Sequence, residues 1–201
     1  KMSQEKVKLL RAYGAEVVIT PTAVPPDHPD NYIMKAKQIV HDTPGAILAN
    51  QHFNQVNPEA HYATTGPEIW EQTEGRVTHF VAGAGTGGTV SGAGKYLKEK
   101  NPGIRIIAGD PVGSLYTGYA KTKVLGEGAG APYKVEGVGG DKISSNIWFD
   151  WIDEWRQVPD RASMMMSRRL AREEGILIGG SGGLNVALAL VGKGPLVVAE
   201  S

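Results

Sequence analysis

The sequence contains no cysteine in its 201 residues. Without thiols, a chain can form neither a disulfide framework nor a thiolate metal site, and it has no cysteine nucleophile. Long apolar runs are lacking too, since none approaches the roughly 20 residues that a membrane-spanning helix needs. No signal peptide is recognisable. These absences lead us to expect a cytoplasmic protein without a membrane partner.

An excess of charge of one sign is also lacking, because 21 Lys and Arg residues balance 21 Asp and Glu residues. A nucleic-acid-binding surface ordinarily depends on a basic excess, so no nucleic-acid partner is expected. The histidines at positions 28, 41, 52, 61 and 79 do not show the i, i+4 spacing of a zinc-binding helix. No metal is therefore expected.

Glycine, in contrast, is abundant, with 27 residues. Short apolar segments that are typical of strands alternate with segments of helical periodicity along the chain. The predicted strands are 15–20, 46–49, 79–82, 105–108, 176–178 and 196–199. This alternation predicts an open α/β fold with a largely parallel sheet and flanking helices.

One predicted strand, 79–82, leads into a loop rich in glycine and threonine that opens a predicted helix. We call residues 85–89 the phosphate loop; they are Gly85, Thr86, Gly87, Gly88 and Thr89. Glycines let backbone N–H groups approach an anion without interference from a Cβ atom. The first turn of the helix adds unpaired donors and a partial positive charge, and the threonine hydroxyls add further donors. This stretch predicts a phosphate site.

The residues alone leave open which phosphate is bound there. Glycines at 83, 85 and 88 satisfy the dinucleotide fingerprint, and Asp110 follows about 20 residues later, where that fold has its ribose-binding acid. A P-loop is excluded because Gly94-Lys95 is followed by Tyr96 rather than Ser or Thr. A dinucleotide, a smaller phosphate-bearing cofactor and a tight structural turn stay open at this point.

A second glycine-rich loop, 179–183, also follows a predicted strand. Its one side chain larger than hydrogen is that of Ser181. In parallel sheets, such loops gather at the carboxyl ends of the strands, where ligands bind. Ser181 is therefore a ligand contact, a helix cap or both. Gln51 follows the predicted strand 46–49 and would reach the same cleft. A serine hydrolase is disfavoured, because the flanking residues do not form a nucleophile elbow.

Motifs along the whole chain resemble the fold type II pyridoxal-phosphate β-synthases, the group that contains cystathionine β-synthase and cysteine synthase. They are KMSxEK at 1–6, GAEV at 14–17, NPxAHYxTT at 57–65, GTGGT at 85–89, VEGVG at 135–139 and the segment 174–183. The resemblance implies a tryptophan-synthase-β-like fold with open, mostly parallel sheets. It also implies pyridoxal 5'-phosphate as cofactor and a homodimer.

The same resemblance implies roles for individual residues. The phosphate loop would bind the phosphate of pyridoxal phosphate, and Ser181 would bond the pyridine nitrogen. Residues 135–139, here called the substrate-side loop, would border the substrate. The residues implied to contact the substrate are Gln51, Glu136, Gly137 and Gly139.

The family pattern places the lysine that carries the cofactor upstream of Lys1, so it is not expected among the residues of this chain. No catalytic residue is therefore assigned in this chain, which resembles a fragment without the N-terminal part of the fold. Residues 1–58 would be the remaining part of the N-terminal domain. Residues 59–201 would form the C-terminal domain, which carries the phosphate loop.

The implied reaction is β-replacement on serine or an O-activated serine, with a thiol or sulfide as acceptor. Tyr62 and the VEG sequence at 135–137 favour the cystathionine β-synthase branch, which joins serine to homocysteine. The GPEIW sequence at 66–70 is closer to cysteine synthase, which joins O-acetylserine to sulfide. A nucleotide-binding dehydrogenase and an inactive binding fragment are the alternatives from other classes.

Overall fold

In a computed structural model, the chain divides into two units, Lys1–Asn50 and Gln51–Ser201. The second unit contains a parallel β-sheet. The model describes residues 3–21, 24–25, 27–125 and 130–190. The first unit contains helices α1 (Gln4–Ala12) and α2 (Tyr32–Asp42). The Asn31 side chain caps α2, because its Oδ1 accepts the N–H of Ile33 at 3.0 Å.

The sheet of the second unit has three strands in the order β1-β2-β3, and both pairings are parallel. The strands are β1 (His79–Gly83), β2 (Arg105–Pro111) and β3 (Glu154–Val158). The central strand is buried along its length after Arg105, as expected where helices cover both faces of a parallel sheet. The predicted α/β class with a parallel sheet is confirmed.

Six α-helices and a short 3-10 helix at Phe149–Trp151 are described in the second unit. The α-helices are α3 (Val56–Ala63), α4 (Thr65–Gln72), α5 (Gly88–Lys100), α6 (Tyr116–Thr122), α7 (Asp160–Glu173) and α8 (Gly180–Leu190). Among the described residues, no helix has both the length and the apolar character needed to cross a membrane.

Two apolar clusters lie on opposite faces of the sheet, because neighbouring residues of a strand point to opposite sides. Ile106 packs with Val90 and Leu97 in the cluster that includes α5. Ile107 packs with Leu184 in the cluster that includes α8. The helix that follows the phosphate loop and the helix that carries Ser181 therefore cover opposite faces of the same sheet.

Three of the predicted strands are wrong. Residues 15–20, 46–49 and 176–178 have no strand structure, and Ile47 and Leu177 within them are 91% and 90% exposed. An apolar, β-branched segment becomes a strand only when a neighbouring strand accepts its backbone hydrogen bonds. No such neighbour pairs with them among the described residues. The predicted strand 196–199 lies outside the described residues.

Asp153 joins the start of β3 to β2 and to α5. Its carboxylate accepts the N–H of Ile106 at 2.7 Å and lies 2.9 Å from Lys98 Nζ. Burial alone would raise the pKa of the Asp153 carboxyl. The bond from Ile106 and the charges of Lys98 and Arg105 outweigh burial, so the pKa lies below its usual 3.8.

We predict that Asp153→Ala lowers the free energy of unfolding by about 1–3 kcal/mol at neutral pH, because it leaves the N–H of buried Ile106 without its acceptor. Urea denaturation of the variant and the parent measures the loss. Asp150→Ala removes an exposed carboxylate three residues earlier and serves as the control.

The effect of Asp153 depends on pH. Because its folded pKa is depressed, the Asp153 carboxylate stabilises the fold above pH 3.8, and this effect is lost as pH falls through the folded pKa. A difference between variant and parent that grows in acid would contradict this assignment.

Candidate functional site

The phosphate loop links β1 to α5, and protein atoms surround its glycines. Gly87 immediately precedes α5 and has a φ of 86°, in the left-handed region that glycine tolerates best. A Cβ atom on Gly87 would collide with Ile147, and one on Gly88 would collide with Oδ1 of Asn57. Close packing against the rest of the protein therefore requires these two glycines, whether or not an anion is bound.

The substrate-side loop lies directly against the phosphate loop. A Cβ atom on Gly85 would lie 2.5 Å from the carbonyl oxygen of Gly137. The N–H of Gly139 donates a 2.7 Å hydrogen bond to the carbonyl of Ala84. The structure therefore brings together two segments that are about 50 residues apart in sequence, as the end of a parallel strand allows.

Side chains from the region around α3 hold the two threonine hydroxyls of the phosphate loop. Thr86 is half-buried, and its Oγ1 accepts a 3.0 Å hydrogen bond from Asn57 Nδ2. Thr89 is exposed, and its Oγ1 lies 3.1 Å from His61 Nε2. The other ring nitrogen of His61 lies 2.8 Å from Thr65 Oγ1. The sequence predictions gave Asn57 and His61 no site role, although both belong to the NPxAHYxTT motif.

Ser181 is the second residue of α8, inside the first turn of the helix and preceded by Gly179 and Gly180. The interpretation of Ser181 as the helix cap is therefore not supported. A Cβ atom on Gly180 would lie 3.5 Å from Val135 and 3.2 Å from Met164. The start of α8 is thus next to the first residue of the substrate-side loop. In the part of the chain that is described, the Ser181 hydroxyl has no hydrogen-bond partner.

Gln51 is tied to the site through its backbone. Its carbonyl oxygen accepts hydrogen bonds from Asn57 Nδ2 at 2.8 Å and from Asn146 Nδ2 at 2.6 Å. Asn57 also contacts Thr86, so this one side chain connects Gln51 to the phosphate loop. The Gln51 side chain is exposed. This position is compatible with the predicted contact to a substrate carboxylate, which stays a prediction.

The glycines of the substrate-side loop differ in their surroundings. Gly137 has a φ of 83°, and no described atom lies within 4 Å of the place where its Cβ would be. A Cβ atom on Gly139 would lie 2.6 Å from both Pro111 and the Tyr133 hydroxyl. Glu136, which directly precedes Gly137, is half-buried. Only Gly137 of these two glycines therefore faces open space, and Gly139 is needed for packing.

Asp110 does not have the surroundings of a ribose-binding acid. It is fully buried, and its Oδ2 accepts hydrogen bonds from the N–H and the hydroxyl of Thr117 at 2.9 and 2.8 Å. Burial raises the pKa of the Asp110 carboxyl, against the opposing effect of its bonds to Ser114 and Thr117. The carboxyl anchors the start of α6, so the dinucleotide interpretation loses its acidic partner and is wrong on this point.

The donors at the phosphate loop suit a phosphate group. The 13-residue helix α5 directs the unpaired N–H groups of its first turn and its positive end toward the loop. Thr86 precedes that turn and Thr89 lies within it, so two threonine hydroxyls are close by, and no carboxylate belongs to the loop. Pyridoxal 5'-phosphate presents such a phosphate, so the loop fits the cofactor that the resemblance implies.

Comparisons with known proteins agree with this fit. Residues 1–197 match the family described as pyridoxal-phosphate dependent enzyme. Cystathionine beta-synthase of Saccharomyces cerevisiae is 44% identical over 188 residues, which are 91% of this chain and 36% of that protein. The Apis mellifera protein of the same name is 42% identical, and the match covers 94% of this chain and 37% of that protein. Cysteine synthase 3 of Caenorhabditis elegans is 40% identical, and the match covers 98% of this chain and 57% of that protein.

A solved structure shares the fold. The crystal structure of an O-acetylserine dependent cystathionine beta-synthase from Helicobacter pylori superposes with a TM-score of 0.84 and 36% sequence identity. The match covers 94% of this chain and 58% of that one. The chain spans little more than a third of the length of the yeast and bee relatives.

We predict that His61 titrates below its usual pKa of 6.5, because burial disfavours the charged ring. The unfolded chain takes up this proton more readily than the folded one, so the free energy of unfolding falls as pH drops below 6.5. His61→Gln should reduce this acid-side slope, measured by urea denaturation at several pH values. Histidine ring NMR, assigned with the same variant, should give a midpoint below 6.5 for His61. A midpoint at or above 6.5 would contradict the prediction.

Proposed function

Because this chain belongs to the family of pyridoxal-phosphate dependent enzymes, we propose that it serves in β-replacement on serine or an O-activated serine. The observation that carries the proposal is the contact between the phosphate loop and the substrate-side loop. The positive end of α5 is directed at the phosphate loop. A phosphate held there would leave the rest of a bound cofactor between these loops and the start of α8.

The chain's own residues would hold and orient the reactants. Thr86, Thr89 and the N–H groups at the start of α5 would bind the phosphate with charge-assisted hydrogen bonds. The Gln51 amide would bind the substrate carboxylate. Bound pyridoxal phosphate would supply an electron sink for the bonds at the substrate Cα and Cβ.

Ser181 would set the electronic state of the cofactor ring. A serine hydroxyl can donate a hydrogen bond to the pyridine nitrogen, but it is too weak an acid to keep that nitrogen protonated. A carboxylate in the same place would favour the protonated ring. The neutral partner therefore limits how much negative charge the ring accepts, which favours loss of a β-substituent over transamination.

Homocysteine is the favoured acceptor, with sulfide as the alternative. Relatives named cystathionine beta-synthase are 40–44% identical to the chain, and Gly137 leaves open space beside the phosphate loop for a larger thiol. The likeness to cysteine synthase 3 of Caenorhabditis elegans supports the alternative. The Helicobacter pylori protein is described as O-acetylserine dependent, so an O-activated donor is part of the proposal.

The proposal also includes a cytoplasmic homodimer and a division into an N-terminal domain up to residue 58 and a C-terminal domain from residue 59. The homodimer and the domain division rest on the resemblance to the family. The proposed domain boundary falls within α3. We assign the cofactor-bearing lysine to none of the lysines in this chain.

An assay of the intact protein with pyridoxal phosphate tests the reaction and its substrates. Serine and O-acetylserine are each combined with homocysteine and with sulfide, and cystathionine and cysteine are quantified by mass spectrometry. We expect cystathionine to form faster than cysteine. Cysteine from O-acetylserine and sulfide without any cystathionine would identify a cysteine synthase. No β-replacement in any combination would refute the proposed function.

Variants of Ser181 test its role at the ring. Ser181→Ala removes one hydrogen bond and should lower the rate of β-replacement by about 2- to 12-fold. Ser181→Asp should increase transamination relative to β-replacement, measured as cofactor lost during turnover. Ser181→Thr keeps the hydroxyl and is the matched control. An aspartate variant with the product ratio of the parent would show that Ser181 does not contact the ring nitrogen.

A further inference from the structure

Asn57, the second residue of α3, contacts three residues of the candidate site. Its Nδ2 lies 2.8 Å from the carbonyl oxygen of Gln51 and 3.0 Å from Thr86 Oγ1. Its Oδ1 lies against Gly88, where it occupies the place of the missing Cβ atom. The carboxamide is thus packed between the residue proposed to bind the substrate and the loop proposed to bind the phosphate.

The partners determine the orientation of the carboxamide. A backbone carbonyl such as that of Gln51 can only accept a hydrogen bond, so the group facing it must be the NH₂ of Asn57. The same NH₂ faces Thr86, and an NH₂ group can only donate. Thr86 Oγ1 is therefore an acceptor in this contact.

The hydroxyl proton of Thr86 then has to point elsewhere. A threonine hydroxyl has one proton and two acceptor lone pairs. Asn57 donates to one lone pair, and the N–H of Gly88 approaches the same oxygen at 3.4 Å. With donors on both sides, the proton is directed away from Asn57 and Gly88 and is available to an acceptor such as a phosphate oxygen.

The backbone of the phosphate loop is held separately from Asn57. The Ser144 hydroxyl lies 2.6 Å from the carbonyl oxygens of both Thr86 and His52, and it can donate its single proton to either of them. Asn146 Nδ2 donates to the Gln51 carbonyl, the second partner of Asn57. Loss of the Asn57 side chain therefore removes the orientation of the Thr86 hydroxyl while these backbone anchors stay in place.

We propose that Asn57 is a positioning residue that selects the phosphorylated cofactor by holding the Thr86 hydroxyl as a donor toward the phosphate. This inference rests on the proposed function, because it takes pyridoxal phosphate as the ligand of the loop. It assigns to the asparagine of the NPxAHYxTT motif a role in cofactor recognition that acts through a residue 29 positions later in the chain.

The test compares the binding of pyridoxal phosphate with that of pyridoxal, which lacks the phosphate, to the intact protein stripped of cofactor. Tryptophan fluorescence quenching gives both dissociation constants without any need for turnover. Asn57→Asp keeps the size of the side chain but replaces the donor with an acceptor, which would attract the Thr86 proton. We expect about a 10- to 100-fold weaker affinity for pyridoxal phosphate and little change for pyridoxal.

A double-mutant cycle separates this effect from the added negative charge. Asn57→Ala should also weaken pyridoxal phosphate binding, and the loss should largely disappear in a Thr86→Val background, where no hydroxyl is left to orient. Additive losses would overturn the inference, as would equal losses for pyridoxal and pyridoxal phosphate, which indicate a purely structural role. A parent protein that binds both ligands equally would refute the phosphate site itself, and with it the proposed function.

Discussion

The candidate site depends on backbone contacts that only glycine permits. In the phosphate loop, the places where side chains would begin are occupied by the carbonyl of Gly137, by Ile147 and by the amide of Asn57. Each of these neighbours belongs to a different segment of the second unit. A Cβ atom in the loop would push one of these segments away, so the glycines hold the substrate-side loop, the 144–148 region and α3 around one point.

Hydrogen bonds from side chains to backbone make this arrangement definite. The Tyr116 hydroxyl donates to the carbonyl of Gly85 at 2.7 Å, and the Ser144 hydroxyl contacts the backbone carbonyl of Thr86. Buried Asp110 holds the N–H of Thr117 next to Tyr116. Such bonds fix a loop in one conformation before a ligand arrives, which reduces the ordering cost of binding.

The sequence predicted the local order of strand, turn and helix correctly but misjudged features that depend on distant partners. The strand, the glycine-rich turn and the helix at 79–99 are consecutive, so their spacing alone indicates them. The predicted strand 46–49 was wrong because strand structure needs a pairing neighbour. Asp110 met the spacing of a ribose-binding acid, yet its carboxyl is buried against α6. Asn57 and His61 were missed as site residues because their threonine partners lie 29 and 28 positions away.

The sequence by itself determined the α/β class and the family and predicted which residues would hold a phosphate, because these depend on local order and residue type. The tertiary structure alone decided which side chain contacts which hydroxyl and which glycine faces open space. Gly137 and Gly139 are indistinguishable as letters, but only Gly139 lies against Tyr133. The reason is physical: a hydrogen bond or a close contact depends on distances of a few ångströms between segments, and the fold of the whole unit sets those distances.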